Sequence, residues 1–413
     1  MLRTLKSVAN LPILLTYILL VFSILCGGNL HVAGSFSLRH LSTFVFLIIA
    51  VINRRRIHLK DWALPLYLMY ILVFCICNII NGEYECHSFW QSLFTYHLPC
   101  IGLALGLPAL LRDLEHVKLF VWALIILYVI NSLLSFFQYS NSELAWAIAT
   151  NISSQAEEGT EAAQMYTEAS DNLLGYAIVA GMFGFVVTNG YFLATYLPVI
   201  TYRINKDGFV NKLIASAFLV FASAAIFITQ QRMAFLSLLL YLFFFVWGGI
   251  DKKWRIPLIV IVVIGLSYYG LSNIEMGRLT TDTNNDTRMK IFNDFFDFMG
   301  KGYWIFGGNE TYLKLYHKSQ HNAFLGAWVL GGIFNFAVFV ILYFKLLRDS
   351  LKKIIKLKRK KSNYSFTLSF SFAVIIFLMY SLTHSAGVQS GSPMFWLVYT
   401  MMCVSYSLER KVK

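Results

Sequence analysis

The chain has 413 residues, of which 58% are hydrophobic and only 13% charged, and its formal net charge is +13. A soluble domain carries about 25% charged residues, so this composition argues against a soluble fold. The positive balance does not make a nucleic-acid surface either, because the charges sit in short clusters between apolar runs rather than along one face with interleaved aromatics.

A helix needs about 20 apolar residues to cross the hydrocarbon core of a bilayer. Runs of that kind place spans at 11–27, 35–53, 63–80, 91–111, 119–138, 172–200, 212–229, 233–250, 256–272, 322–347, 364–382 and 393–408. The expected fold is an all-α polytopic membrane protein of about twelve helices, with 1–413 forming a single integral membrane domain. Arg39 and His40 weaken the second span near its outer end, and the sixth is long enough to tilt or break at Asn189-Gly190. The first apolar run ends at Cys26-Gly27-Gly28 without a small-x-small cleavage site, so it reads as a retained helix. Of the six cysteines, only Cys86 falls in an expected outer loop, and no disulfide framework or metal-ligand spacing emerges. Cys75-Ile76-Cys77 reads as helix filling.

Charge gives the helices a direction. With both termini cytoplasmic, 26 of the 34 Lys and Arg residues fall inside, including Arg54-Arg55-Arg56 and nine basic residues in 345–361. Two outer loops are long. The first, 141–171, is acidic and has no Lys or Arg. The second, 272–321, lies between helices 9 and 10 and carries Arg278, Arg288, Lys290, Lys301, Lys314 and Lys318, against the positive-inside trend. Long loops are where chemistry is usually carried.

Three residues around that loop attract a chemical reading. Arg232, in Thr229-Gln230-Gln231-Arg232, sits in a tight outer hairpin; it reads either as an interfacial arginine that snorkels to water or as an anion clamp, since a guanidinium fork suits phosphate. Arg288 opens a Phe-rich stretch in which Ile291, Phe292, Phe295, Phe298 and Met299 recur at helical spacing, so an amphipathic helix on the membrane surface is expected. With Asp286 or Thr287 as N-cap, Arg288 falls in the first turn, where the helix dipole disfavours positive charge. The alternative is a solvated charge. His321 stands where the loop re-enters the membrane and reads as a general base or as an interfacial cap. Taken together, two arginines and a histidine suit transfer from a pyrophosphate-linked donor: cations stabilise the leaving group and histidine orients or deprotonates the attacking hydroxyl. No acidic cage for a metal lies nearby, so the arginines would replace a divalent cation. Asn172, His317, Asn322 and His384 are possible cavity-lining residues; each also reads as a cap or a loop side chain.

These blocks resemble a known family. Thr229-Gln230-Gln231-Arg232-Met233-Ala234, then Arg288 with its Phe-rich helix and Trp304-Ile305-Phe306-Gly307-Gly308, then His321-Asn322-Ala323-Phe324-Leu325 followed by Gly331-Gly332, resemble the O-antigen polymerase and O-antigen ligase superfamily. Asn172-x-x-Gly175 resembles a further element. The resemblance implies a GT-C-like membrane glycosyltransferase of the bacterial inner membrane. It would act at the periplasmic face on undecaprenyl-pyrophosphate-linked oligosaccharide, without metal or other cofactor. By position, Arg232 and Arg288, with Arg278 beside them, would bind the donor pyrophosphate, and His321 would activate the acceptor. Implied partners are lipid A-core for a ligase, membrane lipids, a chain-length regulator and a flippase. Gln230-Gln231 replaces small hydroxyl residues, and Asn335 departs from the ligase pattern, which favours a polymerase. The lack of arginine in 141–171 points the other way. A transporter or flippase also fits twelve spans, but it would place ionisable residues at mid-membrane, and here they gather at one surface.

Overall fold

A long apolar segment in hydrocarbon must pair its own backbone groups, and the α-helix does so within one segment. A computed structural model describes residues 10–28, 30–33, 36–53, 63–140, 142–152, 179, 181–183, 186–202, 208–229, 231–249, 284–317, 320, 322–359, 365–382 and 387–411. In chain order the helices are α1 (Asn10–Cys26), α2 (Leu38–Ile52), α3 (Ala63–Ile80), α4 (His87–Leu110), α5 (Leu114–Tyr139), α6 (Glu143–Ile152), α7 (Val186–Ile200), α8 (Phe209–Ile228), α9 (Arg232–Gly249), α10 (Asn284–Phe298), α11 (Asn309–Tyr316), α12 (Ala323–Arg359), α13 (Phe366–Ser381) and α14 (Pro393–Lys411). A short antiparallel pair, β1 (His31–Ala33) and β2 (Phe36–Ser37), joins α1 to α2.

Among the described residues, α3, α4, α5, α8 and α12 are long and apolar enough to cross a membrane; α1, α2, α13 and part of α9 are shorter apolar helices. The protein is an all-α membrane protein. The ninth expected span, 256–272, lies outside the described residues. The centre of the bundle is formed by α7, α13 and α14, with α7 packed on α13 and α13 on both α12 and α14. Helices α1 to α3 and α8 turn exposed residues such as Leu19, Ile48, Leu72 and Val220 outward, as a lipid-facing rim requires. Arg39 has a structural task there. Its guanidinium donates to the carbonyls of Ile24 and Leu25, both at 2.9 Å, and so caps the last turn of α1.

Two spans differ from expectation. Among the described residues of the sixth, the helix is Val186–Ile200, preceded by a tight turn at Gly181–Phe183, and it runs unbroken through Asn189-Gly190. The tenth, α12, is interrupted at Gly331 (φ −166°) and Gly332 (φ 68°) and then continues to Arg359. Such an interruption orphans the carbonyls of the preceding turn, and each unpaired group inside a membrane costs several kcal/mol.

The orphans of α12 are satisfied one by one. Ala327 O accepts from Asn335 Nδ2 at 3.3 Å, Val329 O from Gly308 N at 2.8 Å, Leu330 O from Asn78 Nδ2 at 3.0 Å and Gly331 O from the Cys77 thiol at 3.1 Å. On the far side, Ile333 N donates to Trp304 O at 3.0 Å, and Trp328 Nε1 donates to the same carbonyl at 2.9 Å. The segment 304–308 is thus stitched into the break. Glycine is required at the seam. A methyl at Gly332 would stand 1.8 Å from Ile305 O, and one at Gly307 (φ 71°) 2.4 Å from Val329 O.

Around this seam folds a small lobe made of α10, α11 and the turns between them. Phe295, Phe298, Met299 and Tyr312 are buried with Val329 of α12, and Phe298 stacks on Tyr303 at 4.3 Å. The expected surface helix is therefore only partly a surface helix. Phe295 and Phe298 face the lobe's own core, whereas Phe292 and Phe296 are exposed. Helix α10 also begins at Asn284, ahead of Asp286 and Thr287, so Arg288 lies beyond the first turn and the expected dipole conflict is relieved. The connector from α3 to α4 clasps the lobe. Asn81 Nδ2 donates to Phe306 O and Gly307 O (3.1 and 3.2 Å), and buried Glu83 Oε1 accepts from Thr311 N and Thr311 Oγ1 (3.2 and 3.3 Å). A carboxylate at the start of α11 also complements its dipole.

Gly332→Ala combines a backbone clash with a strained φ and is expected to cost at least about 2 kcal/mol, read as a lower unfolding temperature in detergent. Gly300→Ala, with open space around the new methyl, leaves that temperature unchanged. Glu83→Ala strands the Thr311 amide and removes about 1–3 kcal/mol from the clasp. Its signature is faster tryptic cleavage at exposed Lys314, with the rest of the bundle cut at the wild-type rate.

Candidate functional site

The ends of several helices meet at the lobe side of the bundle. Gly190 of α7 lies against both the α8–α9 turn and the last turn of α13: a methyl there would stand 2.8 Å from Tyr380 Oη and 3.1 Å from Gln231 Cγ. Two residues beyond Tyr380, Leu382 O accepts from Asn322 Nδ2 at 2.7 Å. Asn322 Oδ1 in turn accepts from Phe324 N (2.8 Å) and Leu325 N (3.2 Å), capping α12 at its start. The last turn of α13 therefore links the turn that leads into Arg232 to the segment that leads out of His321. The lobe helix bearing Arg288 packs, through Phe295, against Trp328 of α12.

The backbones of Arg232 and Arg288 are described but their side chains are not, and Arg278, His321, Asn172 and His384 lie outside the described residues. The structure thus draws the elements carrying Arg232, Arg288 and the neighbours of His321 to one side of the molecule. Asn322 has its amide spent on the cap and on Leu382. His317 is exposed at the tip of the lobe, where it ends α11 in the left-handed conformation (φ 54°). Beside it, the Asp297 carboxyl is held below its usual range by bonds from Lys301 and then Tyr316, while burial pushes the Tyr312 phenol up to about 12.

Other polar residues at this side were not evident from the sequence. Gln320, next to His321 in the chain, is buried, and its Nε2 has no partner among the described residues. Gln320 and Gln389 both stand close to Gly326, 3.8 and 3.5 Å from where a methyl would lie. A buried amide donor of this kind can bond a substrate oxygen. Deeper in the bundle, four side chains hold the turn before α7. Asn131 Oδ1 accepts from Met182 N at 2.8 Å, Gln138 Oε1 from Gly181 N at 2.9 Å, and Asn189 Nδ2 donates to Val179 O at 3.0 Å and Ser135 Oγ at 3.1 Å. Asn131 Nδ2 closes the set on Asn189 Oδ1 at 2.8 Å. Non-helical backbone at this depth survives only when it is paired within protein or lines a wet cavity. The sequence did carry a sign of it: Asn131, Ser135 and Gln138 follow i, i+4, i+7 spacing on one face of α5.

No curated protein matches the chain. A family model described as O-antigen ligase matches residues 217–340, a stretch that holds Arg232, Arg288, His321, the 304–308 segment and both glycines of the α12 break. This stretch of the chain is therefore similar to the O-antigen ligase family.

Proposed function

We propose that the protein is an O-antigen polymerase, which joins undecaprenyl-pyrophosphate-linked repeat units at the periplasmic face of the inner membrane. The observation that carries the reading is the coincidence of Arg232, Arg288 and His321 with the family match at 217–340. In this scheme the acceptor hydroxyl attacks the anomeric carbon of the donor sugar. The new glycosidic bond forms as the bond to pyrophosphate breaks. The hydroxyl proton passes to His321, and the undecaprenyl pyrophosphate leaves with its charge held by Arg232 and Arg288, with Arg278 nearby. Metal independence belongs to the same proposal. So do the twelve spans, the cytoplasmic termini, the periplasmic loops 141–171 and 272–321, and the chain-length regulator and flippase as partners.

A ligase that transfers the glycan to lipid A-core is the second reading, favoured by the description of the matching family. The polymerase preference rests on Asn335, which departs from the ligase pattern. That residue also closes the break in α12 through Ala327 O.

Deletion of the gene separates the readings by the surface polysaccharide that remains. A polymerase leaves core capped with a single repeat and no long chains. A ligase leaves no repeats on core while lipid-linked polymer accumulates. Unchanged polysaccharide refutes both. Arg288→Ala and His321→Ala, at wild-type abundance, are each expected to lower the rate of transfer by about 100-fold or more. Arg288→Lys restores little, because a single ammonium does not reproduce a two-pronged guanidinium contact. Full activity in both alanine variants would remove these residues from the mechanism.

A further inference from the structure

The end of the bundle opposite the lobe carries a second basic feature, independent of glycosyl transfer. From the break at Gly332 to Lys356 the second segment of α12 runs about 36 Å, roughly the thickness of a bilayer core. There it meets the end of α14. Around the half-buried ring of Tyr406 stand three cations: Lys353 Nζ at 5.6 Å, Lys356 Nζ at 5.7 Å and Arg410 Cζ at 5.7 Å from the centroid. Lys356 Nζ also donates to Tyr406 Oη at 2.9 Å, which leaves the phenol hydrogen to donate elsewhere.

Among the described residues, no carboxylate pairs with Lys353, Lys356 or Arg410. Glu409, the nearest in the chain, spends both oxygens on the start of α13. Its Oε1 accepts from Phe366 N at 2.8 Å, and its Oε2 from Ser365 Oγ at 2.7 Å and Thr367 Oγ1 at 2.8 Å. Asp349 is paired with Lys345. The three cations repel one another, and each is drawn to the shared ring by cation–π attraction. An anion placed among them would relieve that repulsion and could accept from all three and from the phenol.

We propose that Lys353, Lys356, Arg410 and Tyr406 form a binding site for the phosphate of an anionic lipid headgroup. Two features favour a lipid over a free anion. Ser405, one residue before Tyr406, is fully buried in the bundle, so the ring lies where the bundle meets its boundary. Measured from the break, the cluster also stands about one bilayer-core thickness away along α12, the level of the headgroup layer at that end of the bundle.

The test uses the full-length protein, purified in detergent, exposed to phosphatidylglycerol or phosphatidylcholine and read by native mass spectrometry for retained lipid. The wild-type protein is expected to keep one more phosphatidylglycerol than phosphatidylcholine through delipidation. Lys353→Gln/Lys356→Gln/Arg410→Gln is expected to lose it, with affinity falling by roughly fivefold per charge removed. Lys118→Gln, at an exposed lysine paired with Glu115, leaves retention as in the wild type. Equal phosphatidylglycerol retention in the wild type and the triple variant overturns the proposal. If the triple variant does not fold, Lys356→Gln alone decides by the same comparison. Inorganic phosphate, set against chloride at equal ionic strength, identifies the source. A rise in unfolding temperature as large as that from phosphatidylglycerol would assign the site to a soluble anion and overturn the lipid assignment.

Discussion

The lobe side of the molecule depends on a helix that is broken inside the bundle and repaired largely from outside itself. Opening α12 at Gly331-Gly332 orphans the carbonyls of Ala327, Val329, Leu330 and Gly331, and four separate donors take their place. The repair fixes much else. It sets the path of 304–308, and through that path the seating of α10 and α11. It also fixes α3 against α12, because Cys77 and Asn78 supply two of the donors. The first segment of α12 becomes a short platform, capped by Asn322 at one end and stitched at the other. A group that must hold a charged donor within tenths of an ångström benefits from such a base, because looseness of about 1 Å can cost 100-fold in rate.

The turn before α7 solves a similar problem by other means. There the missing backbone partners are replaced by side chains of α5 and α7, with Asn131 and Gln138 each accepting from an amide of the turn. Gly181, at φ 58°, leaves no room for a side chain, since a methyl would stand 2.3 Å from Asn131 Oδ1. Both interruptions lie on elements that reach the lobe side, and both are held by fully buried polar groups. Irregular backbone in a membrane bundle is tolerated where it is buried and paired within protein, as both of these are.

Much of this could be read from the chain, and the misses have physical causes. Apolar runs mark where helices lie, because burial in hydrocarbon acts on composition. The family motifs could be recognised as strings, yet their purpose could not: Gly307-Gly308 and Gly331-Gly332 lie 23 residues apart in sequence and matter because they touch. The break in α12 was hidden because its apolar pattern runs on unchanged on both sides of the glycines. The start of α10 was misplaced because Asp286 and Thr287 are good local caps, and local capping preference was outweighed in the folded lobe. Glu83 gave no sequence signal at all; its role comes from Thr311, 228 positions away.

The distance of those partners has a consequence for assembly. The thiol of Cys77 and the amide of Asn78 reach α12 across 254 and 252 positions. Until α3 and 304–308 are in place, the broken form of α12 has only its own Asn335, on Ala327 O, and the carbonyls of Val329, Leu330 and Gly331 lack the partners they have in the bundle. A solitary α12 in a bilayer gains by closing the gap with ordinary i to i+4 bonds. The kink is therefore acquired late, as a property of the finished bundle, and a peptide cut from this region would be straighter than the helix it came from.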